Sequence, residues 1–228
     1  MKVSIHQPNV FPWLGYFDKM RQADRFILLD TVQFTKNSYQ NRTQILTSYG
    51  VKWLTIPVVK EGLYGARTDQ VFIANTRQWQ EEHFNILHEA YRQAPMYEAR
   101  IELIRELYDS SAERLTSFSI PGIRLIKEML QIDTELILAS ELPVVGTKSE
   151  YLAQLVNEVG GTVYLSGPSG RQYLDESVFH ALGILVEYVQ YDPIIYPQRG
   201  QQSFTNGLSA LDYVFEVAEC SWKVEVKA

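Results

Sequence analysis

The chain reads as an α/β protein built on an open, mostly parallel sheet flanked by helices. Three features predict this. Short apolar runs of strand length (Met1 to Ile5, Phe26 to Leu29, Val163 to Leu165) alternate with amphipathic stretches. Polar loops follow those runs directly. Gly160-Gly161 closes a helical stretch immediately ahead of a strand. A chain of 228 residues can bury a substantial core. Residues 1–228 are expected to form a single α/β domain, with a small β insertion at about 43–74 and a helical subdomain at about 75–130.

Met1 to Ile5 is short and partly apolar and runs into His6-Gln7-Pro8, so it reads as a strand ended by a proline. Pro12 precedes Trp13, Leu14, Tyr16, Phe17 and Met20 at helical spacing. Proline costs little there, because first-turn N–H groups lack intrahelical partners anyway. Phe26 to Leu29 is a second buried strand, closed by Asp30. Thr43 to Leu46 and Val51 to Val59 flank Ser48-Tyr49-Gly50 as a β-hairpin, and Gln70 to Ala74 reads as another strand. From Asn75 the pattern turns helical. Trp79, His83, Leu87 and Tyr91 share one face, Ala94-Pro95 breaks the run, and Ile101, Ile104 and Tyr108 mark a second helix. Ser119 is placed to cap a third helix bearing Ile123, Ile126 and Leu130. The last third returns to α/β, with a strand at Glu135 to Ala139. Thr147-Lys148-Ser149-Glu150 fits a capping box opening a helix with Leu155 and Val156 inward. Strands at Val163 to Leu165 and Ile184 to Tyr188 and a helix around Leu208 to Val217 complete the chain.

Composition narrows the function classes. The formal charge of −6 leaves no broad nucleic-acid footprint. Cys220 is the only cysteine, which excludes an internal disulfide and a thiolate metal cage, and with no histidine nearby in sequence it reads as inert. No basic segment followed by an apolar run opens the chain, and no stretch has the apolar length of a membrane span, so a cytoplasmic protein is expected. Asp18, Asp24 and Asp30 recur every six residues, a spacing without coordination logic, and no metal is expected. His83 and His88 are five apart and do not share a helix face; His83 reads as a core histidine. Fourteen tyrosines and four tryptophans suit pockets for flat or sugar-like ligands.

His6, Gln7 and Asp30 stand just past carboxyl ends of strands, the edge at which open α/β sheets bind ligands. The plain alternative is loop polarity that only satisfies backbone groups; the concentration of His, Gln, Asp, Lys and Arg favours a site. Thr31 to Arg42 is too polar for a buried element. Lys36 and Arg42 could neutralise a phosphate or carboxylate there, or could be ordinary surface cations. Ser166-Gly167-Pro168-Ser169-Gly170-Arg171 follows a strand directly. Its small residues would let backbone N–H groups approach an anion with Arg171 adding charge, and a tight structural turn is an equal reading.

The run H-Q-P-N-V-F-P-W-L-G-Y-F-D-K-M, followed by L-D-T-V-Q-F-T-K-N-S-Y-Q-N-R, resembles the WbqC-like family. Y-L-S-G-P-S-G-R-Q-Y-L-D and Q-R-G-Q-Q-S-F-T-N-G-L-S-A-L-D resemble it too, in the family's order and over nearly the whole chain. The resemblance implies a place in bacterial surface-polysaccharide (O-antigen) biosynthesis and a glycine transferase role. It carries the family's motif positions onto His6, Gln7, Pro8, Gly15, Asp30 and Gln33, onto Asn41 and Arg42, and onto Ser166, Gly167, Tyr173 and Asp175. Glu216 to Ala228 departs from the family's ending, so nothing is carried over there. A weaker similarity is to the Rossmann-like nucleotidylyltransferase fold. Trp13-Leu14-Gly15-Tyr16 occupies the place of its H-x-G-H motif, with both histidines replaced by aromatics. Fold analogy survives that replacement better than adenylyl transfer does.

Transfer of glycine or another acyl group to an amino-sugar precursor needs a base, donors for the developing oxyanion and an activated donor. His6 is the expected base, because imidazole titrates near neutral pH. Asp30 could orient it or act in its place. Gln7, Asn41 or the backbone at Ser166-Gly167 could serve the oxyanion. Arg42 and Lys36 could hold the phosphates of a nucleotide sugar or an activated amino acid, so ATP or a nucleotide sugar is expected as substrate. The other class is a non-catalytic accessory protein that binds a nucleotide sugar or a partner enzyme of the same pathway.

Overall fold

Strand β1 (Lys2–His6), helix α1 (Leu14–Arg21) and strand β2 (Arg25–Leu28) open the chain as the expected strand–helix–strand unit. The chain continues through a hairpin, β3 (Arg42–Thr47) and β4 (Gly50–Thr55), and three helices, α2 (Trp79–Tyr91), α3 (Tyr97–Asp109) and α4 (Leu115–Met129). Then come β5 (Glu135–Leu138), α5 (Lys148–Glu158), β6 (Val163–Ser166), the short α6 (Glu176–His180), β7 (Leu185–Tyr188) and α7 (Ala210–Glu216). The computed structural model describes residues 1–74, 78–201 and 203–219. Asn75, where the helical run was expected to open, and Cys220 lie outside the described residues. The chain divides into two compact units: Met1–Gln7, Gly15–Val32 and Asp133–Asp192 make the first, and Pro8–Leu14, Gln33–Ile132 and the chain from Pro193 the second.

The first unit is a five-stranded sheet in the order β5-β2-β1-β6-β7. Every neighbouring pair is parallel, a Rossmann-like α/β arrangement. The chain runs outward from β1 through β2 to β5 on one side and from β6 to β7 on the other, so the strand order reverses between β1 and β6. The central strands are apolar on both faces, as strands covered by helices must be. Phe26, Ile27 and Leu28 are all 0% exposed, each contributing about 1.5–3 kcal/mol of burial. Val3, Ile5 and Ile27 pack with Leu155 and Val156 of α5, and Tyr164 stacks on Phe179 of α6 at 4.9 Å. Gly160 turns the end of α5 at φ +73°, the left-handed geometry glycine adopts without strain. Gly161 lets α5 approach β1: a Cβ there would fall 2.6 Å from side-chain atoms of both Val3 and Val156.

In this unit one cap differs from expectation. Thr147 precedes α5 but makes no side-chain cap bond. The next residue, Lys148, enters at φ +55°, which turns the chain away from cap geometry. The hydroxyl of Ser149 instead accepts from the backbone N–H of Asp175 at 2.9 Å.

In the second unit the hairpin closes at Gly50 (φ +100°), with Thr43 opposite Leu54 and Thr47 opposite Gly50. The expected strand at Gln70 to Ala74 does not form. A single 3-10 turn covers Thr68–Gln70, and Ile73 and Phe72 make isolated bridges to Val58 and Arg114 respectively. The local cause is the buried Thr68, whose hydroxyl accepts from Gln40 at 2.9 Å and holds the chain in a turn. Ser119 does not begin a helix; it lies inside α4, which also runs through Pro121. Leu115, Phe118, Ile123 and Ile126 form one continuous buried face that outweighs the donor lost at the proline. Phe118 meets Phe11, Trp79 and Tyr108 edge-on at 5.1–5.6 Å. His83 belongs to this core: Nε2 meets the Thr55 carbonyl at 3.2 Å and Nδ1 the Tyr108 hydroxyl at 3.3 Å. Among the described residues no helix is long and apolar enough to cross a membrane.

Candidate functional site

A parallel sheet exposes the carboxyl ends of its strands along one edge, and ligands favour the point on that edge where strand order reverses. In the first unit this point lies between β1, ending at His6, and β6, ending at Ser166. Ser4 pairs with Leu165, so His6 and Gly167 lie two residues further along the same register. On the other side His6 pairs with Leu28, and its carbonyl accepts from Leu29 N–H at 2.8 Å, which brings Asp30 to the same edge.

Helix α1 supplies the side chains that surround the imidazole. Tyr16 meets His6 edge-on at 4.7 Å, and its hydroxyl donates to the Gln7 carbonyl at 3.2 Å. His6 Nδ1 lies 3.2 Å from that same carbonyl. Lys19, one helical turn after Tyr16, is only 6% exposed; Nζ donates to the Ile5 carbonyl at 2.8 Å and stands 5.6 Å from the Phe26 ring centre. An ammonium carries three donors, and among the described residues no carboxylate forms an ion pair with this one. Burial therefore lowers its pKa to about 7. Burial, and secondarily the Lys19 charge, push His6 down to about 3, opposed in part by the Gln7 carbonyl. Burial raises Tyr16 well above the usual phenol value. Near neutral pH the cluster thus holds a neutral imidazole, a neutral phenol and an amine poised between its two forms. Lys19 and Tyr16 were not among the residues expected from sequence. The available signal was their three-residue spacing in a helix flanked by apolar residues.

The remaining expected residues of this unit have defined local partners. Asp30, 2% exposed, accepts from Ser140 at both carboxylate oxygens, from N–H at 3.0 Å and from the hydroxyl at 2.6 Å, which ties the end of β2 to the end of β5. Asp24 accepts from Lys2 N–H, and Asp18 from Arg21 and Gln22, so the three aspartates serve separate contacts. After β6 the Ser166 hydroxyl donates to the Gly167 carbonyl at 3.2 Å, and Gly170 N–H closes a 3-10 turn on that carbonyl at 2.9 Å. A Cβ on Gly170 would lie 2.2 Å from Ser166 Oγ, whereas the space beside Gly167 is open. Arg171 stacks its guanidinium 4.0 Å over Tyr188, and Tyr173 is exposed. Asp175 caps α6, accepting from Ser177 N–H at 3.0 Å and from its hydroxyl at 2.6 Å, bonds that hold its carboxyl below the usual range.

Gln33, Lys36, Asn41 and Arg42 belong to the second unit. Gln33 bridges to Arg67, and Lys36 is exposed. Asn41, 2% exposed, donates to the Ile56 carbonyl and accepts from Asn37 N–H, each at 3.1 Å, so its amide is committed to the loop that carries it. Arg42 lays its guanidinium 4.0 Å over the Trp53 ring, which in turn meets Tyr39 at 5.6 Å. Its Nε is buried without a hydrogen-bond partner. Among all these candidates, that is the group whose donor is left unanswered.

The sequence model described as the WbqC-like protein family matches residues 7–223. A curated relative, the uncharacterised protein Rv1507c of Mycobacterium tuberculosis (strain ATCC 25618 / H37Rv), is 34% identical over 219 residues, covering 95% of this chain and 94% of its own. No solved structure matches.

Proposed function

Because the chain belongs to the WbqC-like protein family, we propose that it is a transferase of bacterial surface-polysaccharide biosynthesis, moving glycine or another acyl group onto an amino-sugar precursor. The observation that carries this reading is the Lys19–His6 pair at the strand-order reversal of the first unit. In acyl transfer an amine or hydroxyl attacks an activated carbonyl, loses its proton and generates an oxyanion. Lys19, with a pKa of about 7, is half deprotonated at neutral pH, the condition under which a base combines availability with driving force. His6 stays neutral throughout the physiological range and serves as a hydrogen-bonding partner that orients the nucleophile, with Gln7 beside it. Backbone N–H groups at the open Gly167 face are the proposed oxyanion donors, and Asp30 holds the edge in shape through Ser140. ATP is the proposed activating substrate: the glycine carboxylate displaces pyrophosphate to give a glycyl adenylate, and collapse of the oxyanion expels AMP as the glycyl group passes to the amino sugar, with a nucleotide sugar as the proposed acceptor.

A second reading, an accessory protein that binds a nucleotide sugar without chemistry, is favoured by Arg42 alone. A guanidinium spread on an indole suits a phosphate or a flat ring that meets its terminal nitrogens, Nε itself being buried. One assay separates the two. The chain is incubated with ATP, radiolabelled glycine and a nucleotide-linked amino sugar, and label on the sugar is measured. The transferase reading expects transfer that falls by about 10²-fold or more in both Lys19→Met and His6→Ala, with circular dichroism unchanged. Transfer at wild-type rate in both variants would refute it. Binding of the sugar nucleotide without label transfer, lost in Arg42→Ala, would establish the second reading instead.

A further inference from the structure

The motif from Gln198 to Asp212 plays no part in the transfer reading, yet it builds a second buried polar centre wholly within the second unit. Asp212, on α7, is 2% exposed. Its Oδ1 accepts from the Tyr91 hydroxyl at 3.0 Å and its Oδ2 from the Tyr196 hydroxyl at 2.8 Å, with Gln198 Nε2 at 3.4 Å. Gln198 is itself fixed by Thr205, whose carbonyl accepts from Nε2 at 2.9 Å and whose N–H donates to Oε1 at 2.7 Å. All of these donors are neutral. A carboxylate suits this set because both of its oxygens accept, whereas an asparagine would present an NH2 donor to one side of it; what the buried carboxylate lacks is a cation to balance its charge.

Asp212 also lines a cavity of about 280 Å³, bounded by the end of α2, the Leu46 to Ser48 turn and one face of α7. The cavity is lined by three carboxylates, Glu89, Asp212 and Glu216, against two guanidinium groups, Arg92 and Arg199, leaving one net negative charge. The two arginines are taken: Arg92 pairs with Glu89 at 3.6 Å and Arg199 with Glu216 at 3.3 Å. Asp212 is the carboxylate left without a cation among the described residues. Burial raises its pKa to about 6, so it is charged at neutral pH all the same. A cavity of this volume sits just below the ~300–1,000 Å³ of drug-sized sites, so its ligand is small.

We propose that this cavity binds a small primary ammonium compound bearing hydroxyl groups, with the ammonium seated on Asp212 and the hydroxyls meeting Ser48 and Gln93 of the lining. The ammonium supplies the single positive charge the lining lacks and a donor for the remaining lone pair of Oδ1. Anionic ligands meet the net negative charge and are disfavoured. Lys19 and His6 take no part, so the proposal stands or falls independently of the transfer reading.

The test is isothermal titration of the full chain at about pH 7 with glucosamine, using glucose as its neutral twin. The expected result is saturable millimolar binding of glucosamine and none of glucose. Two variants locate it. Asp212→Asn keeps the size of the side chain and removes the charge together with one acceptor oxygen. Ala90→Leu, on α2, keeps a strong helix former and all the Asp212 bonds while filling the cavity wall. Each is expected to weaken glucosamine at least about tenfold. Equal binding of glucose, absence of saturable glucosamine binding, or wild-type affinity in Ala90→Leu would each overturn the proposal, the last even if Asp212→Asn fails to fold.

Discussion

Replacing Lys19 by methionine isolates the charge state of the buried amine. In the unfolded chain the group titrates at 10.5, and in the fold at about 7. That displacement corresponds to about 5 kcal/mol by which the folded state disfavours the ammonium. The sign follows from proton counting. Between pH 7 and 10.5 the unfolded chain holds the Lys19 proton and the folded chain has released it, so stability rises with pH across that window; below pH 7 both states are charged and the full penalty applies. Integrated from pH 7 to 9, the gain is about 2 kcal/mol. His6 does not contribute there, because its lowered pKa of about 3 confines its effect to pH 3–6.5. The buried tyrosines titrate above the window. Urea unfolding of wild type and Lys19→Met at pH 7, 8 and 9 reads the effect directly. The loss of the Ile5 carbonyl's partner offsets the variant by about 1 kcal/mol at every pH and cancels from the comparison. Wild type should gain about 2 kcal/mol on the variant between pH 7 and 9. A difference that stays flat would mean that Lys19 keeps its proton in the fold, and the proposed base would be lost with it.

Two further outcomes concern the sheet edge. Gly170→Ala should destabilise by about 1–3 kcal/mol, because its Cβ would fall 2.2 Å from Ser166 Oγ and 2.9 Å from Leu174 Cδ1. Removing the hydroxyl with Ser166→Ala should recover part of that loss in a thermal melt, and no recovery would show that the backbone turn rather than the hydroxyl sets the limit. A double-mutant cycle of Asp30→Ala and Ser140→Ala should give a coupling of about 1.5–3 kcal/mol, the range for hydrogen bonds to a buried carboxylate. Additive single losses would mean that the hydroxyl bond adds nothing and that the Ser140 N–H, which the alanine keeps, makes the tie between β2 and β5.

Much of the sheet's edge was legible because the residues carry it locally. His6-Gln7-Pro8 announces a strand that stops at polar groups, and Gly160-Gly161 announces a helix end packed on a strand; both are local facts and both appear in the fold. Strand order was not legible. That β2 lies beside β5, with Phe26 opposite Leu136, depends on contacts across more than a hundred residues. Lys19 escaped for a different reason: a lysine in a helix normally points to water, and only tertiary burial tells otherwise. Ser119 misled because a serine before apolar residues is a cap signal, and the helix was already running. Which contacts the expected acidic residues make was not read from the pattern either: Asp30 binds Ser140 and Asp175 caps α6.

The central position of β1 has a kinetic cost. Ser4 bonds to the Leu165 carbonyl across 161 residues, so at ribosomal rates of about 5–20 residues per second the middle strand waits roughly 10–30 s for its second neighbour. During that interval β1 offers an unpaired edge on which another polypeptide can add a strand, and the late arrival of β6 is what closes it.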